Sequence, residues 1–253
     1  MDDFLILGFA AFCAGFVDAV VGGGGLIQLP ALFSTLPNSP AACLLGTSKF
    51  AGVWGTSIAA LNYLRSVSLK WHIILPAAGL AFVLALLGAV TVSFVPPTLL
   101  RKALPFILSA IAIYTFSNKD FGIQHRALAG PYTERRLAFL FAALIGFYDG
   151  FFGPGTGSFF VFVFVRFLGY DFLNASAAAK VLNVACNAAA LIWFGYSGNI
   201  IWSLGLSMAV CGVMGSIGGS QVAIRYGSRF VRRVFLMVVS GLILKTAYDA
   251  FFK

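Results

Sequence analysis

The chain has 253 residues, 60% of them hydrophobic and only 10% charged, with a formal net charge of +9 and a mean hydropathy of +0.95. A soluble domain carries about 25% charged residues, so this chain has too little polar surface to cover a water-soluble globule. The positive balance, which in a soluble protein would point to nucleic acid, is explained here by basic loops on one side of a membrane.

Outer-membrane barrels read as ~10-residue alternating segments, whereas the apolar runs here are long and continuous, as in Ile73 to Val95 and Ile200 to Val222. A spanning helix needs ~20 such residues. The expected fold is therefore an all-α membrane protein. Met1-Asp2-Asp3 lacks the positive region of a cleavable signal peptide, so none is expected.

In chain order, a first helix is expected from about Phe4 to Val21, ending at four glycines, Gly22, Gly23, Gly24 and Gly25. Each glycine costs about 1 kcal/mol relative to alanine in a helix, so the run reads as a break. A short apolar piece, Leu26 to Leu36, follows and ends in Pro37-Asn38-Ser39-Pro40; it is too short to span and reads as a half-helix or re-entrant element. Further helices are expected at Ala42 to Leu64, Trp71 to Val95 and Leu99 to Phe116. A polar loop, Ser117 to Arg136, divides the chain. Then come a helix from Leu137 to Phe152, a second break at Gly153-Pro154-Gly155-Thr156-Gly157 and a short piece from Ser158 to Leu168. Helices at Asn174 to Phe194, Ile200 to Ile224 and Phe230 to Phe251 complete the chain.

The order repeats without gaps. Asp149 lies 131 residues after Asp18, and the same offset pairs Gly22 with Gly153, Lys49 with Lys180, Trp71 with Trp202 and Arg101 with Arg232. Only two aspartates and two lysines lie deep in apolar segments, and all four pair under this one offset, which points to duplication. The expected organisation is a first transmembrane repeat over 1–117, a connecting loop over 118–136 and a second repeat over 137–253. If each short piece returns towards the side it came from, the halves are inverted. One side then collects Arg65, Lys70, Lys119, Arg126, Arg135, Arg136, Arg166, Arg225, Arg229, Arg232 and Arg233, against Arg101, Lys102, Lys245 and Lys253 on the other. Parallel halves would split the charges almost evenly. The positive-inside bias favours the asymmetric split, hence two inverted repeats whose broken helices meet near the bilayer midplane, with both termini outside.

A broken hydrophobic segment at matching positions of two halves points to a transporter's binding site. Orphan backbone groups at such breaks are tolerated only inside protein or beside a wet cavity, and a helix N-terminus attracts anions. Tight packing is the competing reading of the breaks. For Gly212, Gly215 and Gly219, on one helix face, packing is favoured. Lys49 and Lys180 either bind an anion from opposite sides or form ion pairs, Lys49 with Asp18 and Lys180 with Asp149. Asp18 and Asp149 either cap and pair or carry a coupling proton. Gln28, Ser48, Thr56, Thr156, Asn183 and Asn187 are neutral candidates for lining a cavity, and Lys180, Asn183 and Asn187 can share one helix face.

Little points to an enzyme. His72 and His125 are not clustered with cysteine or carboxylate, and no Gly-Lys-Ser/Thr follows either glycine run. Cys13, Cys43, Cys186 and Cys211 lack metal-site spacing and read as packing residues. No cofactor, metal or nucleic-acid partner is expected; the expected partners are a small anion, a lipid bilayer and, in the sharper alternative, a coupled proton.

GFVDAVVGGGGLIQLPAL followed by LLGTSKFAG, and GFYDGFFGPGTGSFF followed by SAAAKVLNVACN, closely resemble the two motifs of the TauE/SafE sulfite exporter family of bacterial membrane permeases. The resemblance spans nearly the whole chain. It implies passage of sulfur oxyanions or organosulfonates, often outward, across the inner membrane. An anion channel or a proton-coupled uptake transporter would be built from the same residues.

Overall fold

The computed structural model describes residues 2–94 and 130–252, and every regular element among them is a helix. The first half supplies α1 (Asp2–Val21), α2 (Gly25–Thr35), α3 (Ala41–Leu64) and α4 (Trp71–Val92). The second supplies α5 (Pro131–Phe151), α6 (Thr156–Arg166), α7 (Phe172–Tyr196) and α8 (Trp202–Phe252). Within α8, Gly227 has φ 69° and ψ −168°, so α8 is two helices meeting there, between the expected ends at Ile224 and Phe230. The expected helix Leu99 to Phe116 and most of the loop Ser117 to Arg136 lie outside the described residues.

Helix bounds follow the sequence closely except at α5, which begins at Pro131 rather than near Leu137. Proline is preorganised for the first helical position. The charged run that reads as loop is anchored by a tertiary contact: buried Glu134 accepts from Lys70 Nζ at 2.9 Å on both oxygens and from the Tyr170 hydroxyl at 3.0 Å. α7 starts at Asp171, whose carboxylate accepts from the Leu173 and Asn174 N–H groups and from Ser228. Burial alone would raise the Asp171 pKa, but these hydrogen bonds outweigh it and hold the carboxyl below its ordinary value.

Four described segments are long and apolar enough to cross a membrane: Asp3–Val21, Trp71–Val92, Phe172–Tyr196 and Trp202–Val231. Their outer faces present Leu5, Phe9, Leu75, Leu87, Leu206 and Val210. Exposed apolar surface of this extent is a liability in water and the requirement in lipid. The chain is an integral membrane protein.

Packing between the halves is reciprocal. Gly15 of α1 packs on Gly212 of α8, and its equivalent Gly146 of α5 packs on Ala81 of α4, the equivalent of Gly212. Gly219 packs on the Phe16 carbonyl, and Gly88 on the Phe147 carbonyl. Each glycine faces a backbone that a Cβ would strike, so these are the close small-residue crossings of membrane helices. Residue order gives the running sense. α1 and α3 run with the first part of α8, since Gly8 meets Cys211 and Gly15 meets Gly212, while Cys43 bonds Asn199 and Asn62 bonds Ser220. α5 and α7 run with α4: Gly146 meets Ala81 and Gly150 meets Ala85, while Cys186 meets Ala81 and Trp193 bonds Ser93. α3 and α7 are antiparallel. Gly46 meets Phe194 at one end, and at the other Tyr63 and Ser176 both donate to the last carbonyls of α1.

These contacts bring the end of α3, the starts of α4, α5 and α7, and the bend of α8 to one end of the bundle. Arg65, Lys70, Arg135, Arg136, Arg166 and Arg225 gather there, whereas among the described residues the stretches 2–5, 36–42, 92–94 and 196–202 at the opposite end contain no lysine or arginine. Two apolar cores lie between. One, rich in Phe160, Phe164 and Phe172, fills the basic end. The other, with Leu32, Leu44, Phe194 and Leu204, lies towards the opposite end.

The two glycine segments touch at the centre. Gly22 has φ 81° and Gly153 φ 94°, a left-handed conformation that costs other residues about 1–2 kcal/mol. A Cβ on Gly22 would also lie 2.5 Å from Gly157 Cα and 2.7 Å from the Ser158 nitrogen, whereas one on Gly79 of α4 would meet nothing within 4 Å. Gly22→Ala is therefore expected to lower the thermal midpoint of the purified protein in detergent by several degrees and Gly79→Ala to leave it unchanged or raise it; equal midpoints would show that this contact carries no stability.

Candidate functional site

α1 ends at Val21 and α2 begins at Gly25; α5 ends at Phe151 and α6 begins at Thr156. The two interruptions are stitched together. The Ser158 N–H donates to the Gly22 carbonyl at 3.0 Å, and the Ser158 hydroxyl to the Val21 carbonyl at 3.0 Å. Gly25 packs against Pro154, and Gly155 against Leu26. One N-terminal donor of α6 therefore satisfies the orphan end of α1.

Beside this junction is a cavity of about 60 Å³. At roughly 10–15 Å³ per water by this measure, it holds a few waters or one small oxyanion. Of the residues expected at a site, it is lined by Asp18, Gly22, Gly24, Gly25, Gln28, Ser48, Lys49, Thr56, Asp149, Gly153, Gly155, Gly157, Asn183 and Asn187. Three expected residues are elsewhere. The Gly23 carbonyl accepts from the Leu26 N–H at 3.1 Å. The Thr156 hydroxyl is turned back on the Gly153 carbonyl at 2.8 Å. Lys180 is sealed off, with a side chain 0% exposed.

The charged groups pair across the halves, which corrects the pairing expected within each half. Lys49 of α3 binds Asp149 of α5, and Lys180 of α7 binds Asp18 of α1. The cause is topological. α1 packs between α3, α7 and α8, and the start of α3 lies against the Gly153 turn, with Lys49 Nζ 3.1 Å from where a Gly153 Cβ would be.

The two pairs differ in detail. Lys180 donates to the Asp18 carbonyl oxygen and lies 3.4 Å from Asp18 Oδ2, which also accepts from Thr56 Oγ1 at 3.0 Å. It thereby shares this carbonyl, near the interrupted end of α1, with the Gly22 N–H, which donates to it at 2.7 Å. Lys49 has its side chain 9% exposed and lines the cavity, and its partner Asp149 is 2% exposed. Asn187 donates to Asn183 at 3.1 Å, which places both amides on the cavity face of α7.

Sequence reasoning missed Ser216, Met208, Phe152, Gly52 and Gly55, which also line the cavity, and favoured packing for Gly212, which lines it too. The offset of 131 pairs Ser216 with Ala85 and Gly212 with Ala81, so the repeat carried no signal for them. A serine and a glycine one turn apart in an apolar helix were the available clue. The lining draws Ala11, Leu29, Leu45, Ala51, Phe152 and Met208 from the core at the non-basic end and none from the core at the basic end. Among the described residues no group of three or more His, Cys, Asp or Glu side chains is placed to hold a metal ion.

Comparison with known proteins agrees with a transporter. The family model Sulfite exporter TauE/SafE matches residues 7–246. A probable membrane transporter protein, ORF9, of Sinorhizobium sp is 36% identical over 241 residues, 95% of this chain and 90% of its own length. A probable membrane transporter protein of Haemophilus influenzae is 33% identical, covering 98% of this chain and 96% of its own. The probable membrane transporter protein YfcA of Escherichia coli K12 is 32% identical, covering 97% and 90%. No solved structure matches. With the family pattern running along nearly its entire length, the chain belongs to the TauE/SafE sulfite exporter family of membrane transporters.

Proposed function

We propose that the chain is an inner-membrane permease that moves a small sulfur-containing anion, of the sulfite or organosulfonate class, out of the cell. The observation that carries this reading is Lys49, a buried ammonium facing a cavity beside two interrupted helices. A charge at bilayer depth costs at least ~2.5 kcal/mol on insertion scales and commonly marks a substrate path. Gly24 and Gly25 bring the α2 N-terminus to the same cavity, where its dipole favours an anion. The amides of Asn183 and Asn187, Gln28 and the Ser48 hydroxyl supply neutral donors for oxyanion oxygens. The sulfur class rests on the family's name. Moving one negative charge out of a cell that is negative inside gains about 2.3 kcal/mol per 100 mV, which favours export.

The halves form two inverted repeats in this reading. The support is the reciprocal packing of Gly15 with Gly212 and Gly146 with Ala81, and the opposed running senses of α1 and α5 and of α3 and α7. The basic end is cytoplasmic by the positive-inside rule, which puts both termini outside. A carrier fits better than a channel, because the cavity takes no lining residue from the aromatic core of Phe160, Phe164 and Phe172, which packs the basic end.

Three outcomes follow. Purified protein in liposomes should accumulate or release labelled sulfite, thiosulfate or a short sulfonate with saturable flux; failure with all of them, in protein shown to be folded, refutes the substrate class. Lys49→Ala alone would strand a buried carboxylate, at about 3–5 kcal/mol. The double variant Lys49→Ala/Asp149→Asn is therefore the fair test. It should fold and lose at least tenfold in anion affinity, and unchanged affinity removes Lys49 from the site. In a cysteine-free background, Tyr226→Cys at the basic end should react with an impermeant thiol reagent only after the membrane is opened, and Asn38→Cys should react in intact cells. The reverse pattern overturns the orientation.

A further inference from the structure

The two pseudo-equivalent aspartates are not equivalent in surroundings. Asp149 lines the cavity but is only 2% exposed and is paired with Lys49. Asp18 is 14% exposed and lines the cavity, and both donors that reach its carboxylate, Thr56 Oγ1 and Lys180 Nζ, bind the same oxygen, Oδ2. That leaves Oδ1 to the cavity. The four ionisable groups, Lys49, Lys180, Asp18 and Asp149, cancel in formal charge, so the site is neutral when empty and an entering anion makes it negative. The anion also meets a carboxylate on the cavity wall. We propose that binding of the anion is accompanied by uptake of one proton at Asp18, and that Asp149 takes no part in this exchange. The inference rests on the anion-permease reading and assigns the coupling role to one aspartate of the pair.

Geometry makes the exchange feasible at Asp18 alone. One proton from solvent bonds to Oδ1, the carboxylate becomes a neutral acid, and the anion brings the compensating charge. Lys180 keeps its hydrogen bond to the Asp18 carbonyl oxygen whatever the state of the side chain, and the negative charge that Asp18 gives up is replaced by the anion in the cavity that Asp18 lines. Protonating Asp149 would instead break its ion pair with Lys49, at a carboxyl only 2% exposed.

The other charged or titratable groups facing Asp18 are few. Lys180 comes from α7 and Tyr63 from α3, the tyrosine donating to the Ala19 carbonyl at 3.0 Å. Lys49 and Asp149 face it across the cavity from α3 and α5, while α2 and α8 contribute Gln28 and Ser216, neither of which titrates. A proton moving with a monovalent anion makes the bound complex neutral. The membrane potential then drives it in neither direction, whereas with a dianion one negative charge remains and the potential favours export.

The test uses the purified full-length protein with thiosulfate and methanesulfonate, whose own charges are constant between about pH 5 and pH 8, so that only the protein titrates. The wild type should bind more tightly on acidification, by up to about tenfold per pH unit. Asp18→Asn should bind as tightly at the alkaline end as the wild type does at the acid end and show no slope. Asp149→Asn should keep the slope. Calorimetry of wild-type binding in two buffers of different ionisation heat should show about one proton taken up per anion, and this decides the matter if Asp18→Asn fails to fold. Anion binding without proton uptake, or a slope that survives in Asp18→Asn, overturns the role of Asp18 and leaves the anion site standing. A wild type that binds neither anion at any pH overturns both.

Discussion

Two lysines and two aspartates lie where the surrounding medium cannot solvate them, and the rest of the architecture follows from how they neutralise one another. Each lysine reaches the aspartate of the opposite half, Lys49 to Asp149 and Lys180 to Asp18. Removing one member of such a buried pair costs about 3–5 kcal/mol because the survivor is left uncompensated. Neither half can therefore complete its centre alone. α1 is held against α7, α5 against α3, and the glycine junction between Gly22 and Gly157 is clamped between them. The glycines are needed because the clamp brings backbone against backbone.

Positions paired by the offset of 131 do not contribute equally to the cavity. The offset sets Gly52 and Gly55 of α3 against the bulkier Asn183 and Cys186 of α7, so the cavity is widened on the α3 side by two residues without side chains. Gln28 and Leu29 correspond to Phe159 and Phe160, and the aromatic side belongs to the core of the basic end. Of the two buried lysines, Lys49 lines this cavity and Lys180 does not. Lys49, paired with Asp149, is exposed to the cavity, while Lys180 is occupied with the carbonyl and carboxylate of Asp18. Selectivity for an anion, in the proposed function, thus comes from breaking the symmetry that the duplication supplied.

Much of this was legible in the sequence because membrane helices announce themselves by length and apolarity, and because four consecutive glycines cannot continue a helix. The positions of Asp18, Lys49 and their repeats were equally visible, since charge is rare in such segments. What the sequence left hidden is three-dimensional. Pairing within each half looked natural when the chain was taken as two copies, and only the crossing of α1 towards α7 shows otherwise. The early start of α5 was hidden because Glu134-Arg135-Arg136 looks like a polar loop until Lys70 and Tyr170 are seen closing on Glu134. Ser216 and Gly212 were hidden because a cavity lining of small side chains has the same composition as a tight helix crossing.

The central claim is that a small oxyanion sits against Lys49 beside the two glycine segments. Selenate has the shape and charge of sulfate, and its selenium scatters anomalously. The anomalous difference map of crystals grown with saturating selenate should show one peak in the cavity, within hydrogen-bond distance of Lys49 Nζ and next to Gly25. A map with no peak there, or with its strongest peak on the arginines of the basic end, would contradict the account.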